Sequence, residues 1–318
     1  MLMVACWTGL RRIRFRFFKA FFGPASRWWP KADDRYAELS VPRGWRIFTQ
    51  LFLPPIPLRY LPERRPWMRY LPSAWFLREP FLEKCPYADN EGGRAGERWV
   101  FINGAMTTDP VLDLNIRYIQ ELFGTDLLLI RTPCNGVFLD LAEVALPGWF
   151  GHMANSVGLV RETLVSLLRE EDVRRVVVLA HSKGTIVVAK ACEEMMASWE
   201  GPARKGPARG GPARKGPEAD LTKLEVYALS DCARQWPYLE NGNSPIYQEH
   251  LVNQFDAPAG VGMLDSRTHP PGRVFIRPAV WGHLLNMHYL SALDPGHPCY
   301  QEDAFAGSRL RGEVRARD

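Results

Sequence analysis

The sequence predicts an α/β fold in which helices cover both faces of a mostly parallel sheet. From about residue 98 onward, short apolar segments alternate with longer segments whose apolar residues recur at helical spacing. The short segments are continuous apolar runs, which is typical of strands buried on both faces of a parallel sheet. A chain of 318 residues, of which 46% are hydrophobic, is long enough to bury one large core.

Each predicted element follows from its own pattern. The strand at 98–104 precedes a helix at 109–124, in which apolar residues share one face and Gly124 follows the end. Later segments repeat this alternation of apolar run and amphipathic helix. The other predicted strands lie at 126–133, 173–180, 223–230, 249–255 and 272–278, and the other predicted helices at 155–171, 183–199 and 283–293.

Two segments and a short tail lie outside this alternation. Residues 1–95 are rich in Pro and Trp and lack a sustained period, and residues 1–80 hold 15 Lys and Arg against five Asp and Glu. Because a disordered chain lacks such aromatic content, we expect an extended wrap with short helices. Residues 201–219, "GPARKGPARGGPARKGPEA", form a near-repeat that predicts a flexible surface insertion in a domain at 96–300. Residues 301–318 form a C-terminal tail.

The N-terminus and the basic segments predict location and partners. The first apolar residues precede the basic cluster, the reverse of a secretory signal, so we expect a cytoplasmic protein. No run of about 18 apolar residues predicts a membrane span, but the Phe and Arg residues of 1–30 either bind an anionic membrane surface peripherally or pack on the domain. The insertion lacks interleaved aromatics, so no nucleic-acid partner is expected.

The six cysteines lie far apart and predict reduced thiols without a metal site.

The stretch "AHSKG", residues 180–184, contains the candidate nucleophile. Ser182 lies just past an apolar strand and directly before a helix, at the carboxyl end of a strand, where open α/β sheets place their chemistry. The pattern matches the G-x-S-x-G nucleophile elbow with Ala180 in place of the first glycine. Two alternatives are a helix cap and a phosphate-binding loop, although the upstream glycines of such a loop are missing.

A serine nucleophile needs a base and an acid, and the chain offers both in the order Ser, acid, His. His283 follows the last predicted strand and is the favoured base, and His288 in the following helix is the alternative. Asp256 ends the penultimate strand and is the favoured acid, whereas Asp231 after the strand before it is the alternative. Less favoured candidates are His181, His269 and His297 for the base and Asp265 for the acid.

Two backbone N–H groups are the candidates for an oxyanion hole. One belongs to Lys183, the residue after the nucleophile. The other belongs to Ala105, because Asn103 and Gly104 form a turn directly after the first strand of the domain. Gly104 lets the backbone turn toward a substrate, and the side chain of Asn103 can brace the loop.

Because Ser182 is followed by a candidate acid and then a candidate histidine, residues 98–292 resemble the α/β-hydrolase superfamily. The "V-N-x-x-D" at 252–256, followed by a late histidine, resembles the class 3 lipase pattern, and "GRVFIRPAVWGHLLNMHYL" at 272–290 is similar to the C-terminal segment of lipase-like proteins of that superfamily. The resemblance implies a serine esterase or lipase that acts on a small-molecule or lipid ester, with Ser182, Asp256 and His283 as its triad and with neither metal nor organic cofactor. Two residues depart from the pattern of the superfamily. Ala180 stands where the nucleophile elbow usually has its first glycine, and Asn103 stands where the oxyanion loop usually has a histidine.

Two other classes of function stay open at this point. One is a catalytically inactive protein of the same fold that serves as an interaction protein through its basic, Trp-rich N-terminus. The other is a membrane-surface protein whose basic N-terminal segment delivers the hydrolase to lipid.

Overall fold

The computed structural model describes residues 36–38, 80–87, 94–105, 107–132, 151–197, 219–238, 244–265 and 270–315. The proposed membrane contact of residues 1–30, nearly all of the insertion and His269 lie outside these ranges. The strands are β1 Phe81–Cys85, β2 Glu97–Ile102, β3 Leu127–Arg131, β4 Arg175–His181, β5 Leu224–Leu229, β6 Tyr247–Phe255 and β7 Arg273–Trp281. The helices are α1 Asp109–Phe123, α2 Gly151–Leu168, α3 Lys183–Ala197, α4 Ala257–Val261, α5 Ser291–Leu293 and α6 Arg309–Gly312, with a 3-10 turn at Leu221–Lys223 and a π-helix at Leu285–Leu290.

The described strands form one sheet in the order β1-β3-β2-β4-β5-β6-β7. β1 pairs antiparallel with β3, and every other pair is parallel. The predicted fold class, α/β with a mostly parallel sheet, is therefore confirmed. β1 lies within residues 1–95, and its side chains are exposed or half-buried, so it has no continuous apolar run that would reveal it in the sequence.

The core lies on both faces of the sheet, as the continuous apolar strands predict. Val176, Val178 and Ala180 of β4 pack on one face, in a cluster that includes residues of α2 and α3. Val177 and Leu179 of the same strand belong to the cluster on the other face, which includes residues of α1 and the π-helix. β4, the strand that leads to Ser182, is thus held from both sides.

The C-terminal residues pack at the opposite end of the sheet from the strand ends that carry the candidate site. Arg175, at the start of β4, lies 2.6 Å from a carboxylate oxygen of Glu225 and 2.8 Å from one of Glu313. The backbone N–H of Arg309 donates to Glu249 on β6 at 2.9 Å. These contacts fasten the tail to the first residues of the central strands. No helix among the described residues has the length and apolar character needed to cross a membrane.

A short piece of the N-terminal extension packs on the same domain. The ring of Tyr36 stacks on that of Tyr118 in α1, with 4.6 Å between centroids. Glu38 is buried, and its carboxylate accepts hydrogen bonds from the backbone N–H groups of Asn286 at 3.2 Å and Met287 at 3.4 Å. The extension therefore contacts the start of the π-helix that follows His283.

Candidate active site

Four polar residues lie at the carboxyl ends of four adjacent parallel strands. Ser182 directly follows β4, Ser230 follows β5, Asp256 follows β6, and His283 lies two residues past β7. Since these strands are neighbours in the sheet, their ends bring together residues that are up to about a hundred positions apart in the sequence. All four side chains are buried.

The backbone at Ser182 makes the sharp turn that a nucleophile elbow requires. Its φ of 54° is uncommon for a residue other than glycine. The turn is held by a hydrogen bond from the N–H of Ser182 to the carbonyl of Leu229, and Thr185 donates through both its N–H and its hydroxyl to the carbonyl of Ser182. A strained turn of this kind persists where the surrounding structure imposes it, as it does at many functional sites.

Small residues on both sides of Ser182 make room for this turn. A Cβ on Gly184 would lie 2.6 Å from the carbonyl oxygen of Ile102, so only glycine fits there without displacing β2. Ala180, where the pattern usually has glycine, lies in β4 opposite Ile102 on one side and the small Ala228 on the other. The alanine methyl is fully buried at this position, and the turn forms with it.

The candidate base and the favoured candidate acid form a buried pair. Nδ1 of His283 lies 3.1 Å from Oδ1 and 3.2 Å from Oδ2 of Asp256. Asp256 is also the N-cap of α4, accepting from the N–H of Ala259, and it accepts from the hydroxyl of Tyr289 at 2.6 Å. Burial by itself raises the pKa of Asp256, but the charge of His283 and hydrogen bonds from His283, Tyr289 and Ser230 hold that pKa below its ordinary value. The carboxylate is therefore ionised at neutral pH.

The alternative acid has different partners. Asp231 lies 2.8 Å from Nδ1 of His250 and accepts hydrogen bonds from Nε1 of Trp236 at 2.9 Å and from the N–H of Ala233 at 2.8 Å. It thus orders the loop after β5 and the neighbouring strand β6. Asp265, the third candidate, lies in the turn that follows α4.

The other candidate histidines have local partners. Nδ1 of His288, in the π-helix, accepts from the N–H of Leu284 at 2.9 Å. Nδ1 of His297 accepts from the N–H of Cys299 at 3.0 Å. Nε2 of His181 donates to the carbonyl oxygen of His283 at 2.9 Å, and burial together with the neighbouring His283 lowers the pKa of His181 to about 3. His181 is therefore neutral and ties the residue next to the nucleophile to the backbone of His283.

The base lies beside the nucleophile turn without a hydrogen bond to its hydroxyl. The ring of His283 is 4.9 Å from that of His181, measured between centroids. Oγ of Ser182 instead lies 3.8 Å from Sγ of Cys232, and none of the hydrogen bonds between described residues joins it to His283. Catalytic hydrogen bonds in free enzymes are often long and tighten only with bound substrate.

The loop after β2 reaches the nucleophile turn as the candidate oxyanion loop. The side chain of Asn103 donates to the carbonyl of Thr132 at 2.9 Å and accepts from its N–H at 2.7 Å, which braces the loop against the end of β3. A Cβ on Gly104 would lie 2.8 Å from Cβ of Ser182, so the glycine brings this loop into contact with the turn. Ala105, whose N–H is the candidate oxyanion donor of this loop, is the residue after Gly104. Lys183 is the first residue of α3, and the first N–H groups of a helix have no partner within it.

Three further residues of the site escape prediction from the sequence. Oγ of Ser230 lies 2.7 Å from Nδ1 of His283, the hydroxyl of Tyr289 donates to Asp256, and Sγ of Cys232 contacts Ser182. Burial and the neighbouring Asp256 raise the pKa of Cys232 well above its ordinary value, so this thiol is protonated. Ser230 directly follows an apolar strand, and Cys232 lies two residues later. This position is the signal in the sequence that could have indicated them.

The sheet and the nucleophile turn together define an α/β-hydrolase fold. Its features are a largely parallel sheet, a strained serine between a strand and a helix, and an acid and a histidine that follow later in the chain.

No model of a protein family matches the sequence, and no curated protein matches it. Among solved structures, dienelactone hydrolase from Anabaena variabilis is 10% identical, with a TM-score of 0.37 over 74% of this chain and 96% of that one. A serine hydrolase without a lid from Xanthomonas campestris is 10% identical, with a TM-score of 0.36 over 65% and 82% of the two chains. A thioesterase of the prodiginine pathway from Streptomyces coelicolor is 13% identical, with a TM-score of 0.36 over 81% and 99%.

Proposed function

We propose that the protein is a serine hydrolase that cleaves carboxylic esters through an acyl-enzyme intermediate. Ser182 is the nucleophile, His283 the general base and Asp256 the acid that orients His283. The observation that carries the proposal is the strained Ser182 turn beside a buried pair of His283 and Asp256, at the same edge of the sheet. Backbone strain of this kind clusters at active sites.

The proposed reaction follows from which of these groups can take up a proton and which can donate one. Nε2 of His283 takes the hydroxyl proton of Ser182 as Oγ attacks the ester carbonyl, and the resulting imidazolium is stabilised by the ionised Asp256. His283 then gives this proton to the departing alcohol, which leaves Ser182 acylated. A water molecule, deprotonated by the same histidine, hydrolyses the acyl-enzyme and regenerates the serine.

The negative charge on the carbonyl oxygen needs donors during both steps. The backbone N–H groups of Ala105 and Lys183 are proposed for this role, because the braced loop at Asn103 and the first turn of α3 flank Ser182. A donor of this kind contributes about 3 kcal/mol of transition-state stabilisation.

The class of ester is a narrower proposal. The resemblance of residues 252–256 and 272–290 to class 3 lipases and lipase-like proteins makes esters of lipid-like acids the first substrates to test. A series of p-nitrophenyl esters of increasing acyl length measures this preference. Activity confined to the shortest acyl groups contradicts a lipid substrate but not the triad.

Labelling with a fluorophosphonate probe tests the triad directly, because the probe reacts with an activated serine. We expect the wild type to be labelled, Ser182→Ala to be unlabelled, and His283→Ala and Asp256→Asn to be labelled far more slowly. Asp231→Asn is the matched control for Asp256→Asn, since Asp231 is an equally buried carboxylate that contacts a different histidine. Equal labelling of the wild type and Ser182→Ala overturns the proposal, and circular dichroism confirms that each variant is folded.

A further inference from the structure

Among the hydrogen bonds between described residues, the shortest one to the side chain of His283 is made by a serine rather than by the acid. Nδ1 of His283 lies 2.7 Å from Oγ of Ser230, compared with 3.1 and 3.2 Å from the two oxygens of Asp256. A neutral imidazole whose Nε2 acts as a base carries its single proton on Nδ1. The shortest contact therefore assigns that proton to Oγ of Ser230.

The hydroxyl of Ser230 can accept the Nδ1 proton of His283. Oγ can accept from Nδ1 of His283 while its own proton is donated elsewhere, since a hydroxyl has one donor and two acceptor sites. Asp256 and the hydroxyl of Tyr289 both interact with Ser230, and either can accept its proton. Ser230 can therefore accept from Nδ1 of His283 and still donate its own proton.

The backbone holds Ser230 in place at a conformational cost. Its φ is 52°, in the left-handed region that residues other than glycine rarely adopt. The N–H of Ser230 donates to the carbonyl of Leu251 on β6 at 2.9 Å, and the residue is fully buried. Ser182, the proposed nucleophile, is a second non-glycine residue with such a φ at the adjacent strand end.

We propose that Ser230 is a positioning residue whose hydroxyl, beside Asp256, accepts the Nδ1 proton of His283. The inference rests on the proposed function, because its effect on catalysis requires His283 to be the base. By fixing the proton on Nδ1, the hydroxyl keeps Nε2 of His283 available to Ser182. When Nε2 takes the serine proton, Oγ of Ser230 and the carboxylate of Asp256 both stabilise the positive charge, and no proton leaves Ser230.

Two substitutions separate the hydroxyl from the backbone. Ser230→Gly removes the hydroxyl and suits a positive φ, whereas Ser230→Ala removes the hydroxyl and leaves the backbone strained. If the hydroxyl matters, both variants lose kcat by about tenfold, the effect of one hydrogen bond, with KM little changed. In protein labelled with 15N-histidine, the proton resonance of Nδ1 of His283 moves in both variants, because its acceptor changes from a neutral hydroxyl to the carboxylate.

Ser308→Ala is the matched control. Ser308 is likewise a buried serine whose hydroxyl donates to a carboxylate, that of Glu249, at the opposite end of the sheet. We expect this variant to lower the free energy of unfolding without changing kcat or the His283 resonance.

Three results overturn the proposal. In the first, Ser230→Gly keeps the wild-type kcat, which would show that the backbone and not the hydroxyl matters. In the second, both variants lose activity but the resonance of Nδ1 does not move, as a purely structural role predicts. In the third, Ser308→Ala changes kcat as much as the two Ser230 variants do. A wild type that does not react with a fluorophosphonate would overturn the proposed function and not the Ser230 contact. In that case the Nδ1 resonance of the protein without substrate still reports whether Ser230 is the partner of His283.

Discussion

His181 and Ser182 are consecutive residues with different tasks in the same turn. Ser182 makes the strained turn, while Nε2 of His181 donates to the carbonyl of His283. The segment that carries the candidate base is therefore attached to the strand that carries the candidate nucleophile. Burial keeps His181 as a neutral imidazole, and this makes the stability of the protein depend on pH.

The pH dependence of stability tests this arrangement. The pKa of His181 is lowered to about 3 in the folded protein, whereas an unfolded histidine takes up a proton near pH 6.5. Between these values the unfolded state binds more protons, so the free energy of unfolding falls as the pH drops from 7 to 5. The amide of His181→Gln retains a hydrogen-bond donor but does not take up a proton. We therefore expect the free energy of unfolding of this variant to fall less between pH 7 and pH 5 than that of the wild type. Urea unfolding at both pH values measures the difference, and a slope identical to that of the wild type would show that His181 titrates normally.

His297→Gln is the control for this measurement. His297 is only partly buried and lies away from Ser182, where its Nδ1 accepts a local hydrogen bond from Cys299. We expect the pH slope of this variant to match that of the wild type.

The π-helix Leu285–Leu290 is the element that connects the candidate base to the rest of the fold. The sequence predicts a helix at 283–293, and the structure has a π-helix followed by the short α5 in that place. Helical periodicity predicts that this segment is helical but does not distinguish a π-helix from an α-helix. The start of the element depends on residues that are distant in sequence, because Glu38 accepts from the N–H groups of Asn286 and Met287.

Removing the Glu38 carboxylate tests whether the N-terminal extension stabilises this element. In Glu38→Ala two backbone N–H groups at the helix start lose their acceptor, and we expect the free energy of unfolding to fall by about 1 to 2 kcal/mol, as for other helix caps. Chemical denaturation measures the change. Glu302→Ala removes an exposed carboxylate near the C-terminus and is the control. Equal effects of the two substitutions would contradict a role for Glu38 in holding the helix.

At the scale of the whole molecule, the basic N-terminal extension is a candidate for bringing the proposed hydrolase to its substrate. We propose that residues 1–30 bind anionic membrane surfaces, since their Arg and Lys residues alternate with Phe. Deleting residues 1–30 is expected to reduce co-sedimentation with vesicles containing phosphatidylserine, and added salt should weaken the binding of the intact chain. Vesicles of phosphatidylcholine alone are the control. Unchanged binding after the deletion would remove the membrane proposal.

From residue 98 onward, the sequence by itself determined the main strands and helices and the turn at Ser182. These features are local, because a strand buried on both faces must be continuously apolar and a strained turn needs small residues beside it. Only the tertiary structure decided that His283 pairs with Asp256 while Asp231 pairs with His250, and that Ser230 reaches Nδ1 of His283. It also placed β1 at an edge of the sheet. These contacts depend on which strands become neighbours, and that order is set by the packing of segments far apart in the chain rather than by any local pattern.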